Sequence, residues 1–150
     1  MERDTQYYIE KGFIDVNDNA EFRTIAEAAS CFGKKYIASR RSYFRHPKER
    51  EKRLWFPKLY DNKDWENTIS SDESVIISKS KFPEKGKEEI DSIKPDEDYI
   101  VVTFTRDRNS EGKMMYLFRG VYELDKDAMS YEKGQVWKKI ADRIKTYPTL

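Results

Sequence analysis

A chain of 150 residues is long enough to bury roughly two thirds of its surface, and 29 basic against 28 acidic residues leave a net charge of only +1, so bulk charge points to no polyanionic partner. With 37% hydrophobic and 38% charged residues the chain stands at the polar edge of the globular range, yet 10 Tyr, 8 Phe and 3 Trp supply the ring area for a core and exclude a disordered chain. A lone cysteine, Cys31, excludes an intrachain disulfide scaffold, and the charged start MERDTQYYIE, with no apolar run near ~18 residues, gives the expectation of a soluble, cytoplasmic protein without membrane contact.

In chain order, residues 6–16 (QYYIEKGFIDV) are rich in β-branched and aromatic types and predict a strand interrupted at Gly12. Asp18, three before Glu21, reads as a capping box. Phe22, Ile25, Ala26, Ala29 and Phe32 follow at helical spacing up to Gly33, which predicts a long helix over about 19–32 with Cys31 buried as a small hydrophobe. Residues 34–53 then carry nine Lys/Arg against two Glu, whereas 84–98 carry seven acids against three lysines. A nearly neutral chain is therefore electrically lopsided along its length. The acidic window reads as a solvated loop or short helix ended by Pro95.

Residues 54–60 (LWFPKLY) predict a strand, with Pro57 at an edge or bulge, and 74–80 (SVIISKS) predict another. Residues 99–106 alternate Ile100, Val102 and Phe104 against Tyr99, Val101, Thr103 and Thr105, and 114–124 (MMYLFRGVYEL) return as the second arm of a hairpin. Gly120 inside that arm marks a bulge or a close backbone approach. Residues 135–147 read two ways. Trp137, Ile140, Ala141 and Ile144 fit a helical stripe, while a strand sets Lys138 and Asp142 on the same face as Val136 and Ile140; the local pattern favours helix. No repeat or linker interrupts the chain. The expectation is one α+β domain over 1–150: a strongly curved, mostly antiparallel sheet or small barrel, with one long N-terminal helix and short additional helices.

Most catalytic chemistry lacks its residues. The only histidine, His46, precedes Pro47 in the basic segment and reads as a surface histidine among arginines; triads and most zinc sites need more His and Cys than this. No glycine-rich phosphate loop or dinucleotide fingerprint calls for a cofactor. One string imitates a nuclease: Pro95-Asp96 followed by Glu111-Gly112-Lys113 resembles the PD…ExK pattern, in which carboxylates hold Mg²⁺. Asp96 precedes the strand 99–106 and Glu111 follows it, so about eight residues at ~3.3 Å each hold them more than ~20 Å apart. No catalytic residue and no metal ligand are assigned, and the chain is expected not to be an enzyme.

The basic segment has a more specific composition. KKYIASRRSYFRHPKEREKRLWF interleaves cations with Tyr36, Tyr43, Phe44, Trp55 and Phe56. Nucleic-acid sites need both parts, cations to displace counterions from phosphates and flat rings to stack on bases. Arg40, Arg41, Arg45, Lys48, Arg50, Lys52 and Arg53 are the backbone-contact candidates. The alternative is pairing within the fold, arginines against Glu88, Glu89 or Asp91. Trp55 and Phe56 in a strand point to opposite faces, so one of them belongs to the core. Trp65, in the polar run DNKDWEN, is either anchored at the rim of the sheet or lines a pocket, and Trp137 divides the same way.

LWFPKLYDNKDWENTISSDESVIISK, with VVTFTRDR, YLFRGVYEL and VWKKIADRIKTYP after it, resembles accessory modules that stand beside GIY-YIG or HNH nuclease domains in bacterial proteins. More distantly the layout resembles the PUA-like barrels, the PUA, ASCH, EVE and SRA group. That resemblance implies a pocket between sheet and helix for RNA or a modified base, with Trp55, Trp65, Asn67, Phe104 and Arg119 near it by position. It also implies that the last segment is a strand, and that reading is preferred over the local stripe. No GIY-YIG string or HNH trio occurs in these 150 residues, so a nuclease would be a fused domain or a partner. The expected function is DNA or RNA binding, with modified-base recognition for restriction or anti-phage defence. A protein-interaction module and a metal-dependent nuclease are the alternatives.

Overall fold

The computed structural model describes residues 3–39, 41–59 and 62–149. It opens on a helix, α1 (Thr5–Lys11), where β propensity predicted a strand. The reason is local: Asp4 accepts the Tyr7 N–H at 3.0 Å and caps the first turn, and Gly12 at φ 90° returns its N–H to the Tyr8 carbonyl. Only Phe13–Asp15 remains as strand β1. The capping box lies three residues earlier than the sequence suggested. Asp15 accepts the Asn17 N–H and the Asp18 carboxylate accepts the Asp15 N–H, closing one 3-10 turn, Val16–Asp18, that ends at Asn19 with φ 53°.

The long helix over 19–32 does not form. Glu21–Phe22 pairs as strand β2, and Thr24 caps a short α2 (Ile25–Ala29) by accepting the Glu27 N–H at 3.1 Å. Ala28, Ala29, Cys31 and Phe32 are fully buried behind it. The apolar spacing is real, but Phe22 satisfies it from a strand.

The strands that follow are β3 (Tyr43–Arg45), β4 (Lys52–Trp55), β5 (Trp65–Ile69) and β6 (Val75–Ser80). Helix α3 (Pro83–Asp91) occupies the acidic window, and β7 (Ile100–Arg108), β8 (Met114–Leu124), β9 (Gln135–Ala141) and β10 (Arg143–Lys145) complete the set. They order as β3-β4-β7-β8-β9-β6-β5, with β2 added on β8 and a small β1-β10 pair beside them. All pairings are antiparallel except β4 with β7. The path ends at β3 and β5 without joining them, so the sheet is open and the expected barrel is not closed.

The C-terminal segment is strand, as the family resemblance implied and the local stripe did not. Trp137 sits between Leu124 of β8 and Ile76 of β6, and neighbours on both sides outweigh local helical periodicity. The expected hairpin of β7 and β8 is present, with a register shift at Thr103/Phe104 opposite Gly120. Gly120 has φ 123°, and a Cβ there would come within 2.8 Å of the Ala141 carbonyl oxygen. Close approach of β9 therefore requires glycine.

Strand β7 is buried continuously from Val101 to Thr105, the signature of a strand covered on both faces. One face packs Phe22, Phe32, Phe56, Phe104 and Phe118 under α1 and α2. Phe104 is the hub, stacked on Phe56 at 5.4 Å and edge-on to Phe22 at 5.8 Å. The other face gathers Trp55, Ile76, Val101, Tyr122, Leu124 and Trp137. Trp55 and Phe56 do point to opposite faces, and both are buried because each face has its own cluster.

Candidate functional site

The second face is not filled to its edge. Between β4, β5, β6, β9 and the end of α3 lies a cavity of about 530 Å³, inside the size range of small-ligand sites. Trp55, Trp65 and Asn67, three of the five pocket residues expected from the sequence, line it together with Tyr43, Asn62, Ser78 and Trp137. Strand periodicity explains the grouping. Tyr43 is the cross-strand partner of Trp55, and Asn67 the partner of Ser78, so each pair shares a face.

The rings are fixed before any ligand arrives. Trp55 and Trp137 lie 5.2 Å apart with planes tilted by 38°. Trp65 is half-buried at the start of β5, and its backbone N–H is held by Asn62 Oδ1 at 2.9 Å. The same Oδ1 accepts the Asp64 N–H at 3.2 Å. Asn67 is clamped from both ends: its Nδ2 donates to the Lys58 carbonyl at 3.0 Å, and its Oδ1 accepts from Ser78 Oγ at 2.6 Å. One N–H and one lone pair of that amide stay unused.

Among the described residues, two groups in the lining have no hydrogen-bond partner. Asn62 Nδ2 and Trp137 Nε1 are buried and make no hydrogen bond. An unmet buried donor costs about 1–3 kcal/mol, and native folds rarely keep one.

At the rim, the Arg53 guanidinium lies over both Tyr43 (5.6 Å) and Tyr99 (5.9 Å) and pairs with Glu97 at 3.7 Å. Burial pushes the Tyr43 hydroxyl above its usual pKa, partly offset by Arg53. Glu89, also in the lining, has its carboxyl raised by burial, with Lys85 opposing.

The remaining expected cations spread out. Arg45 is the cross-strand partner of Arg53 and so shares its face, with Nη1 on the Arg50 carbonyl at 2.6 Å. Arg41 covers Phe44 at 5.8 Å, and Arg50 is exposed. The aliphatic stem of Lys48 packs over Gly33, and Lys52 is tied to Glu49 and Glu51 at 2.8 and 3.2 Å. Arg40 lies outside the described residues.

Two expected pocket residues are elsewhere. Phe104 is the hub of the opposite core. Arg119, at the β7–β8 irregularity, is held by Thr105 Oγ1 (2.7 Å), Glu73 (3.2 Å) and Asp107 (3.3 Å). Their proximity was judged from chain position, which carries no information about faces. Tyr43 was visible as a ring but not as a cavity wall, and Trp137 was left between rim and pocket, since deciding either needs the β3–β4 and β6–β9 pairings. Asn62 gave no signal beyond a polar loop.

His46 is not a surface residue. It is fully buried, its Nδ1 accepts the Lys48 and Glu49 N–H groups at 3.0 and 2.9 Å, and its ring lies 5.2 Å from Phe32. It pins the turn between β3 and β4, and burial lowers its pKa. Asp96 and Glu111 flank opposite ends of β7. No group of three or more His, Cys, Asp or Glu suited to a metal ion occurs among the described residues, and no helix among them is long and apolar enough to cross a membrane.

The family model of the SET and RING associated domain, SRA, matches residues 7–146. The structure is similar to that of the 5-hydroxymethylcytosine-specific restriction enzyme AbaSI, with a TM-score of 0.82 and 34% sequence identity. That likeness covers 97% of this chain and 46% of the other, so the chain spans about half the length of the enzyme it resembles. No match is found among curated proteins.

Proposed function

The chain belongs to the SRA family, and from that premise we propose that it is a DNA-binding module that reads a modified cytosine drawn out of the duplex into the cavity behind Trp65. The observation that carries this reading is the cavity itself, which joins three aromatic walls to fixed polar groups beside a cationic edge. The likeness to a 5-hydroxymethylcytosine-specific restriction enzyme supports the class of base.

The physics of extrusion sets the terms. Taking a base out of the stack costs a few kcal/mol, which must be regained inside the protein. Stacking on a ring contributes about 1–3 kcal/mol per base, and Trp65, half-buried and anchored through its backbone N–H, is the ring free to receive it. The clamped Asn67 amide offers one donor and one acceptor to the base edge or its substituent. Arg45 and Arg53, on the cavity face of the β3–β4 edge, meet the phosphates, and Lys58 and Lys63, exposed on the loop before Trp65, flank the entrance. The module reads and does not cut. Cleavage belongs to a nuclease domain fused to it or recruited by it, in keeping with the 46% share of the similar enzyme that it spans.

The test is fluorescence anisotropy on duplexes that differ at one base, 5-hydroxymethylcytosine against cytosine. At least tenfold preference for the modified duplex, lost in Trp65→Ala, is the expected result. Equal binding to the two duplexes overturns the reading.

A further inference from the structure

Of the three α-helices among the described residues, α3 alone buries no residue. Phe82 stands at its N-cap and gives no side-chain cap, and Gly86 interrupts its middle. Neither capping nor propensity therefore holds these nine residues in a helix. What keeps α3 in place lies at its two ends. Before it, the Lys81 N–H donates to the Asp64 carbonyl at 2.8 Å and the Phe82 N–H to Ser80 Oγ at 3.1 Å. At its far end the Tyr131 hydroxyl donates to the Asp91 carboxylate, and Ile93 packs on the cluster of Trp55 and Trp137. Between these anchors the helix lies against β6 without entering a core.

A second cavity, of about 550 Å³, lies beneath it. Pro83, Gly86, Glu89 and Ile90 of α3 form one wall, and Ser78 and Ser80 of β6 belong to the other. This cavity adjoins the candidate site, because Trp65, Ser78, Glu89 and Gln135 line both. Trp65 and the half-buried Glu89 thus stand at the partition between two chambers. Trp65 is held by the Asn62 side chain, whereas Glu89 is carried by a helix that buries nothing. Segments with few buried apolar contacts open at the lowest cost, and gating elements are drawn from them.

We propose that α3 is a flap that swings off β6 between its two anchors, carries Glu89 out of the partition and joins the two chambers, so that its opening sets the rate at which an extruded base enters and leaves. The flap presupposes the base-reading function proposed above and gives it a moving part. The rings and strands of the site stay fixed, and α3 moves.

The geometry also supplies a lock. A Cβ on Gly86 would stand 3.5 Å from Ser80 Cβ, at the short end of the disulfide range of about 3.5–4.5 Å. Gly86 has an ordinary helical backbone, so a side chain there adds no strain. Cys31 is buried and stays out of the bridge.

The experiment compares the full chain carrying Ser80→Cys and Gly86→Cys in its oxidised and reduced forms, with each single variant as a control for the lost Ser80 acceptor. Stopped-flow anisotropy with a duplex carrying 5-hydroxymethylcytosine is expected to show association about tenfold slower in the oxidised protein, and the rate of the single variants after reduction. Hydrogen exchange on the wild-type protein reads the opening without any substitution. The amides of α3 are expected to exchange about tenfold faster than those of β6 or more, and to slow when the hydroxymethylcytosine duplex is bound. An oxidised protein that associates as fast as the reduced one overturns the flap while leaving the base-reading function in place, as does α3 exchange as slow as that of β6. A wild-type protein that binds hydroxymethylcytosine and cytosine duplexes equally overturns that function and the gating role with it.

Discussion

The two faces of the sheet use aromatic residues in opposite ways. Under α1 and α2, Phe22, Phe32, Phe56, Phe104 and Phe118 interlock ring against ring. Phenylalanine has no polar atom to satisfy, so those rings close on one another, and the unmet donor beside them belongs to His46, whose Nε2 has no partner. On the other face Trp55 and Trp137 pack with aliphatics on one side and border open space on the other. Tryptophan brings an N–H, and that of Trp137 is left unmet. The first face supplies stability. The second leaves an unmet donor and open space beside its rings, a local departure from packing rules of the sort expected at functional sites.

Substitutions should separate the two roles. Phe104→Ala opens a void at the hub of the closed face and is expected to cost about 3–5 kcal/mol, read from chemical denaturation midpoints. A shift under 1 kcal/mol would mean that this face is not the main source of stability. Trp65→Ala should do the reverse: a small change in melting, with a loss of roughly 1–3 kcal/mol in binding to modified DNA, measured by anisotropy. Should it unfold the protein, Trp65 would belong with the core rings.

Weaker still is the expected effect of the cationic edge. Replacing Arg45 and Arg53 together by Ala should lower affinity for modified and plain duplex alike. It should also reduce the slope of log K against log salt by about 0.9 per lost phosphate contact. An unchanged slope would remove these residues from the DNA interface.

The smallest effect is predicted at the closed face. His46 has a pKa below its ordinary 6.5 because burial disfavours the imidazolium, and its Nδ1 already accepts two N–H groups. The unfolded chain therefore binds a proton more readily than the folded one. The stability that His46 contributes is fully present above about pH 6.5 and is lost as pH falls toward the lower folded pKa. Denaturation midpoints measured from pH 7.5 to 5 should drop on the acid side, and less so in His46→Gln, where the amide oxygen takes over as acceptor. Identical pH profiles would show that His46 does not titrate on unfolding.

Much of this arrangement was open to a reading of the chain. Strong alternation made the β7–β8 hairpin plain, Gly120 announced its irregularity, and Trp65 and Asn67 stood out in a polar run. The errors cluster at the N-terminus, where caps at Asp4, Asp15 and Thr24 divided the expected strand and long helix among two helices, a turn and two strands. Phe104 and Arg119 were misplaced for a different reason. Each is close in sequence to cavity-face residues, but alternation sends Phe104 to the closed core and the β7–β8 irregularity leaves Arg119 among Thr105, Glu73 and Asp107.

By itself the sequence determined the mainly antiparallel sheet, its aromatic filling and the rings available for stacking, because strand periodicity and glycine conformation act over a few residues. Tertiary structure alone decided that the sheet stays open, that His46 is buried and that Asn62 and Trp137 share a cavity. Those outcomes depend on which distant segments become neighbours, and hydrogen-bond partners supplied from across the fold override local preference wherever the two differ.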